Sequence, residues 1–289
     1  RVNWATFGCK ANQADTDALR DEVRSRLGQE VLFVSDKEVA DVVVMNTCTV
    51  THQADADARK SIRRAKRQSP DAQIVVTGCY AQVAEKKLKT WSEIDHVIGN
   101  VQKASIPSLI ERMKFPDAVP ERTSDWDPSL RAPDSIRALS GTRTRPFLKV
   151  QDGCNYVCSF CIIPEARGAS RSLPLSEVLS SAQRLEESGA YEIVLTGIHL
   201  GHWGRDLVPK RSFVDLLGAL LEATEHVRFR ISSIEPNEVT DEFLSFVHRE
   251  ERICDHLHVP LQSGDDAVLK RMRRVYRVDW YRRIFEAYR

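Results

Sequence analysis

In the first part of the chain, short apolar runs are spaced by longer charged stretches, the alternation expected of a parallel α/β sheet with covering helices. The runs 2–7, 31–34, 42–45, 74–77 and 96–98 predict strands. Residues 15–27 and 54–68 predict helices, with Gly28 and Pro70 as stop signals. The layout is Rossmann-like, although no G-x-G-x-x-G accompanies it. From 115 to 145 the periodicity fades among prolines, serines and aspartates, which predicts a linker. A second alternation follows, with strands at 147–150, 193–196, 228–232 and 256–261. Its helices end at Gly189 or run over 213–222, 241–248, 266–272 and 279–288. Repeated β-α units of this kind predict a parallel barrel that is incomplete at its carboxyl end. The expected fold class is therefore α/β: a Rossmann-like parallel-sheet domain over 1–114, a linker over 115–145, and a partial β/α barrel over 146–289.

Length and composition fit this division. A chain of 289 residues suggests two domains at ~150 residues each, and 42% hydrophobic content suffices for two cores. Seven cysteines are an odd number in a long, charged chain, which argues against a disulfide scaffold and for a reducing, cytoplasmic setting. No apolar run approaches the ~20 residues that span a bilayer, and no leader pattern is present, so no membrane partner is expected. The chain begins at Arg1 rather than Met, which suggests that the natural start lies upstream. A net charge of +1 makes no global case for nucleic acid, so that case rests on local patches. Arg59, Lys60, Arg63, Arg64, Lys66 and Arg67 make one helix basic, and Arg271, Arg273, Arg274 and Arg277 form another cluster. Phosphate contacts would use such charge, but a solvated helix face explains the first group equally well.

The cysteines carry the chemistry. Cys154, Cys158 and Cys161 form a C-x3-C-x2-C trio, whose thiolates can hold three corners of a four-iron cluster and leave the fourth iron open. Zinc is the alternative, but structural zinc sites usually pair two half-motifs, and the second half is missing here. Cys9, Cys48 and Cys79 lie far apart, yet each follows an apolar strand and precedes a helix. Strand carboxyl ends share one edge of an open α/β sheet, so these sulfurs can converge on a second cluster. Three buried cysteines in turns are the bland alternative, but three at topologically equivalent places beside a second such trio favour a cluster. Cys254 belongs to no motif and reads as core. His256 and His258 alternate on one strand, which suggests a metal pair or, more simply, packing and hydrogen bonding.

Beyond the cysteines, the sequence resembles the radical S-adenosylmethionine methylthiotransferases along essentially its whole length. The first part carries Gly8-Cys9-Lys10-x-Asn12-Gln13, Asn46-Thr47-Cys48-Thr49-Val50-Thr51 with Ala54-Asp55, and Val76-Thr77-Gly78-Cys79. The second carries Gln151-Asp152-Gly153-Cys154-Asn155 through Cys161-Ile162-Ile163-Pro164, Ala166-Arg167-Gly168, Arg171-Ser172, Ser232-Ser233-Ile234-Glu235-Pro236 and His256–Gly264. Lys10, the Thr-Val-Thr after Cys48 and the Gln-Asp before Cys154 look most like the branch acting on N6-threonylcarbamoyladenosine. Ala11, Ala14 and Glu165 depart from the family's usual residues, and the family's remaining barrel units and RNA-gripping β-barrel are not in this sequence.

The resemblance implies two [4Fe-4S] clusters and S-adenosyl-L-methionine as cofactors. The cluster on Cys154, Cys158 and Cys161 would cleave the cofactor to a 5′-deoxyadenosyl radical, and the auxiliary cluster on Cys9, Cys48 and Cys79 would supply sulfur. The implied product is a methylthio group on carbon 2 of N6-threonylcarbamoyladenosine at position 37 of tRNA. The implied partners are a tRNA anticodon stem-loop and an unidentified electron donor. Strand-end residues Thr196, Gly197, Ser232, Glu235 and Gln262 are candidates for cofactor contact, and Arg167 and Arg171 for the cofactor carboxylate or a substrate phosphate. The competing expectations are the isopentenyladenosine branch, the branch modifying a ribosomal-protein aspartate, an iron-sulfur electron-transfer protein, and a zinc-stabilised RNA-binding protein.

Overall fold

The structure, a computed structural model, describes residues 1–49, 52–114 and 143–288. The expected linker lies outside the described residues up to 142, as do Val50 and Thr51 of the Thr-Val-Thr motif. The described residues up to 114, together with Glu165–Arg167, form one compact unit, and the others from 143 onward form a second.

The first unit is built from β1 (Val2–Thr6), α1 (Lys10–Leu27), β2 (Phe33–Val34), β3 (Val42–Thr47), α2 (His52–Gln68), β4 (Gln73–Gly78), α3 (Cys79–Val83), α4 (Glu85–Leu88), β5 (His96–Ile98) and α5 (Ile106–Lys114). All neighbouring strands pair in parallel, in the order β2-β1-β3-β4-β5. Both faces of the sheet are covered, which is why β3 reads as an unbroken apolar run rather than an alternation. Val43 and Met45 pack with Ala58 and Ile62 of α2. Val42 and Val44 pack with Leu19 and Val23 of α1 and with Ile106 and Ile110 of α5. Each such side chain contributes about 1.5–3 kcal/mol on burial, so a charge at Val44, fully buried in the middle of β3, would break the sheet. The strand order turns back between β1 and β3, and at such a switch point the carboxyl ends leave a crevice. Helix α1 starts at Lys10, earlier than the expected 15, because Cys9 takes the extended N-cap conformation (φ −79°, ψ 172°).

The second unit holds β6 (Phe147–Lys149), β7 (Gln151–Asp152), the start of α6 (Ile163–Arg167), whose last three residues count with the first unit, β8 (Arg171–Ser172), α7 (Leu175–Glu187), β9 (Glu192–Thr196), α8 (Phe213–Ala223), β10 (Arg228–Ile231), α9 (Asp241–Arg249), α10 (Asp266–Arg271) and α11 (Val278–Tyr288). Strands β6, β9 and β10 form a parallel three-stranded sheet with β9 in the middle. Val178 and Leu185 of α7, Leu216 and Leu220 of α8, and Phe243 and Val247 of α9 close its core. The antiparallel pair β7 and β8 brackets the loop that carries three cysteines. The strand expected over 256–261 does not form: this stretch contributes only the isolated bridge Ser233↔His258. Its backbone is spent on other partners: the His256 N–H donates to the Cys254 carbonyl at 2.7 Å, the His258 carbonyl accepts the Ile234 N–H at 3.0 Å, and the carbonyls of Val259, Pro260 and Leu261 accept from the hydroxyls of Tyr281 and Tyr276. Pro260 has no N–H to give. No helix among the described residues is long and apolar enough to cross a membrane.

Candidate functional site

In the first unit, register brings the three distant cysteines to one edge. Thr47, which precedes Cys48, is the Cα partner of Gly78, which precedes Cys79. Thr6 pairs with Asn46, so Gly8 and Cys9 leave β1 beside the end of β3. Gly8 has φ +91°, and a Cβ there would sit 2.7 Å from the Cys48 sulfur. Glycine is therefore required both by the left-handed backbone and by the closeness of Cys48.

Buried amides hold this edge together. Asn12, fully buried on α1, donates through Nδ2 to the carbonyls of Phe7 at 2.9 Å and Thr47 at 3.0 Å. It thereby ties the loop of Cys9 to that of Cys48. Asn46 donates to the Asn12 carbonyl at 2.7 Å, and the Thr47 hydroxyl donates to the Thr77 carbonyl at 2.5 Å. Asn100, just past β5, donates to the Cys79 sulfur at 3.5 Å. Below the edge lies a buried ionic group in which Lys103 Nζ is 2.9 Å and Arg167 Nη2 is 3.2 Å from Asp15 Oδ2. Arg167 also donates to Asn12 Oδ1. Arg167, expected on the cofactor or a phosphate, thus belongs to the first unit and sits on a carboxylate of this chain. Cys9 is exposed, whereas Cys48 and Cys79 are buried.

The second trio is local. Cys154, Cys158 and Cys161 are all partly buried in the loop between β7 and β8. Gly153 opens that loop at φ +70°, where a Cβ would collide with the Ala169 carbonyl. Gln151, fully buried, plays here the part that Asn12 plays in the first unit. Its Oε1 accepts the N–H groups of Ile198 at 3.0 Å and His199 at 2.7 Å, and its Nε2 donates to the Gly153 carbonyl at 2.8 Å and Ser170 Oγ at 2.9 Å. The missing Cβ of Gly197 leaves room for this amide, since a Cβ there would stand 3.1 Å from Gln151 Oε1. The loop also leans on the far end of the unit, where the Ser159 hydroxyl donates to the Arg271 carbonyl at 3.0 Å.

Two nitrogens lie close to one sulfur. The Tyr156 N–H donates to Cys154 Sγ at 3.4 Å, and His199 Nδ1 lies 3.5 Å from the same sulfur. Burial pushes the Cys158 thiol up, while the nearby Arg274 guanidinium pulls the other way. His199 and His202 stack at 3.6 Å, with Glu238 Oε1 2.6 Å from His199 Nε2 and 3.5 Å from His202 Nε2. Burial alone would depress His199, but the Cys154 sulfur and the Glu238 carboxylate outweigh it and push the imidazole up to about 9. Burial and the charged neighbour push His202 down to about 4. These three residues went unremarked in the sequence because they come from two separate loops with no motif spacing. His256 and His258, by contrast, are both exposed, so neither packs in the core. Cys254 is buried, as a core residue.

The other strand-end candidates are spread around the same end of the second unit. Thr196 ends β9 and is buried. Ser232 follows β10, and its hydroxyl is buried without a hydrogen-bond partner among the described residues. Glu235 is ion-paired with Arg274 at 3.0 Å, and burial raises its carboxyl above the usual range. Gln262 is exposed and takes φ +65°. On the basic helix α2, Arg63 faces Glu93 and Arg64 faces Asp36, each at 3.5 Å. A half-open cavity of about 320 Å³ in the first unit, lined by Trp4, Met45, Arg64 and Gln68 among others, includes none of the cysteines.

An open four-iron cluster asks for three thiolates, donors toward sulfur and no zinc-like fourth ligand. The loop over 154–161 offers three cysteine sulfurs and the Tyr156 N–H toward one of them, and the Ser232 hydroxyl is buried without a hydrogen-bond partner among the described residues. In the first unit, the Asn100 amide on Cys79 and the cations around Asp15 suit an anionic group at the sheet edge.

Comparison with known proteins bears on both units. Residues 1–99 match the uncharacterized protein family UPF0004, and residues 148–289 match the radical SAM superfamily. The threonylcarbamoyladenosine tRNA methylthiotransferase MtaB of Bacillus subtilis is 40% identical over 97% of this chain and 61% of its own length. The enzyme of the same name from Aquifex aeolicus is 38% identical over 98% of this chain and 68% of its own. The chain thus spans about two thirds of the length of these curated relatives. Among solved structures, the radical S-adenosylmethionine methyltransferase TsrM of Kitasatospora setae, with cobalamin and a [4Fe-4S] cluster bound, shares the fold with a TM-score of 0.63. It is 14% identical and covers 99% of this chain and 64% of that one.

Proposed function

We propose, from the premise that this chain belongs to the radical S-adenosylmethionine methylthiotransferase family, that the full-length protein places a methylthio group on carbon 2 of N6-threonylcarbamoyladenosine at position 37 of tRNA. In this reading residues 1–114 hold an auxiliary [4Fe-4S] cluster on Cys9, Cys48 and Cys79. Residues 146–289 hold a second on Cys154, Cys158 and Cys161 together with S-adenosyl-L-methionine. When bound, these groups supply reductive cleavage of a carbon–sulfur bond and a source of sulfur. The protein's part is to hold, orient and exclude water.

Each residue's role follows from its position. Asn12 and Gln151 fix the loops that present the thiolates, so that ligand geometry is set before a cluster arrives. Thr196 and Gly197, at the end of β9, offer backbone groups to the cofactor's amino end, and Ser232 and Glu235 offer oxygens to its ribose hydroxyls. Gln262, in its left-handed turn, completes this wall. The anticodon stem-loop, an electron donor and a cytoplasmic setting belong to the same reading.

The observation that supports it best is the register at the first sheet edge: Gly8 and Gly78, the residues before Cys9 and Cys79, both abut the segment Thr47–Cys48. Three unrelated core cysteines would have no reason to share one edge. The test is mass spectrometry of tRNA nucleosides from cells lacking the full-length gene and then regaining it. Loss and return of the 2-methylthio form of N6-threonylcarbamoyladenosine is expected. Loss of the isopentenyladenosine product instead, or an unchanged nucleoside profile, would overturn the assignment.

A further inference from the structure

We propose that Asn100 is a positioning residue for the sheet-edge trio: its side-chain amide donates a hydrogen bond to the Cys79 sulfur and so sets how readily a cluster held there accepts an electron. The inference rests on the reading of Cys79 as a cluster ligand.

Parallel register brings the two residues level. Thr77 of β4 is the Cα partner of Ile98 of β5, so Cys79 and Asn100, each two residues further on, leave the sheet side by side. Gly99 allows the close approach, since a Cβ there would collide with the Gln82 side chain of α3. The Asn100 amide then reaches back. Its Nδ2 lies 2.7 Å from the Ala166 carbonyl and 3.5 Å from Cys79 Sγ. Ala166 is fully buried and counts with the first unit, as does Cys79, which is buried beside it.

The two acceptors fix which way the amide faces. Nδ2 carries two N–H groups and meets two acceptors, whereas Oδ1 is buried without a hydrogen-bond partner among the described residues. Turning the amide over would set Oδ1 against the Ala166 carbonyl, acceptor against acceptor. The carbonyl thus holds one N–H and leaves the other for the sulfur. A cysteine bound to iron has lost its proton and can only accept. The amide itself does not titrate, so the donor is in place whatever the pH.

The competing explanation is that Asn100 only ties the end of β5 to Ala166, with the sulfur a bystander. One N–H suffices for that tie. The second, in a buried place beside Cys79, would then be left without a partner, which costs about 1–3 kcal/mol.

The consequence is electronic. Hydrogen bonds to cluster sulfurs are among the levers that set reduction potential. A donor on a ligand sulfur stabilises the more negative reduced state, so the amide holds the potential higher than a bare Cys79 would. Asn100 touches no reacting atom and acts through the cysteine.

The test uses the full-length protein in a Cys154→Ala background, reconstituted anaerobically so that the sheet-edge cluster alone is followed, with its midpoint potential read by redox titration of the spectroscopic signal. Asn100→Leu, close in size but without a donor, should shift the reduction equilibrium about tenfold toward the oxidised cluster, about 59 mV for a one-electron couple. Asn100→Val, of different shape and equally without a donor, should give the same shift, whereas a packing role would make the two differ. A second measurement needs no substitution at position 100: in the parent protein made with asparagine carrying a heavy nitrogen isotope in its side chain, pulsed electron paramagnetic resonance of the reduced cluster should show coupling to that nitrogen. This measurement decides where neither variant loads iron. A potential that ignores both variants or moves differently in each, or a reduced parent cluster with no such coupling, would overturn the role of Asn100 alone. A parent protein that takes up no iron at Cys9, Cys48 and Cys79 would overturn it together with the reading beneath it.

Discussion

The two cysteine trios reach the same end by opposite routes. Cys154, Cys158 and Cys161 are neighbours in sequence, and a bracket of two short strands with one clamping glutamine is enough to present them. Cys9, Cys48 and Cys79 are neighbours only because three parallel strands end in register. The first kind of site depends on its loop, and the second depends on a whole sheet. Damage to the core of the first unit should therefore reach its cysteines, whereas the loop of the second unit should be sensitive mainly to its own few clamps.

The largest expected effect separates the two trios by function. Cys154→Ala should abolish cleavage of S-adenosylmethionine, measured as 5′-deoxyadenosine released on reduction, whereas Cys48→Ala should spare cleavage and stop sulfur insertion into tRNA. If both behave alike, the division of labour fails.

Next is the ionic group under the sheet edge. Lys103→Met leaves the Asp15 carboxylate buried with one cation fewer, and breaking such a pair costs about 3–5 kcal/mol. Denaturant unfolding should show that loss in the first unit, and iron bound through Cys9, Cys48 and Cys79 should fall with it. An unchanged midpoint would mean that Arg167 and the other surroundings of Asp15 satisfy it without Lys103.

The clamps give a closer comparison. Asn12→Ala strands the carbonyls of Phe7 and Thr47, and Gln151→Ala strands the N–H groups of Ile198 and His199. Each buried group left unpaired costs about 1–3 kcal/mol. Iron analysis should show the first variant losing iron from the sheet-edge trio and the second from the loop trio. Equal losses at both trios in either variant would contradict the separation.

A smaller effect concerns acid. Burial works against ionisation of Glu192, but the Arg230 and Arg228 guanidiniums outweigh it and hold its carboxyl at about 2. A carboxyl lowered on folding contributes stability that is present above its unfolded value, near 4.5, and is lost as pH falls toward 2. The gap in melting temperature between the wild type and Glu192→Gln should thus be widest above pH 4.5 and close on acidification. A gap that widens in acid would reverse the assignment.

What the sequence made legible was chiefly what short spacing and apolar runs encode. The strands of the first unit and the trio over 154–161 could be read because a continuous run or a fixed interval carries each. The strand expected over 256–261 failed because apolar content alone does not show that its carbonyls are taken by the Ile234 N–H and by the Tyr276 and Tyr281 hydroxyls. Arg167 followed the cysteines closely enough to suggest a cofactor contact, yet its partner is Asp15, far away in the chain. His199, His202 and Glu238 could not have been found by spacing, since β9 and β10 bring their loops together. The amides of Asn12 and Gln151 stood inside recognisable motifs, but only the hydrogen bonds reveal them as clamps.

The central claim is that each unit holds its own iron cluster, and metal analysis of anaerobically reconstituted full-length protein tests it most directly. About eight irons per chain are expected, falling to about four when Cys9, Cys48 and Cys79 are replaced and, separately, when Cys154, Cys158 and Cys161 are replaced. About four irons in the wild type, or zinc in place of iron, would contradict it.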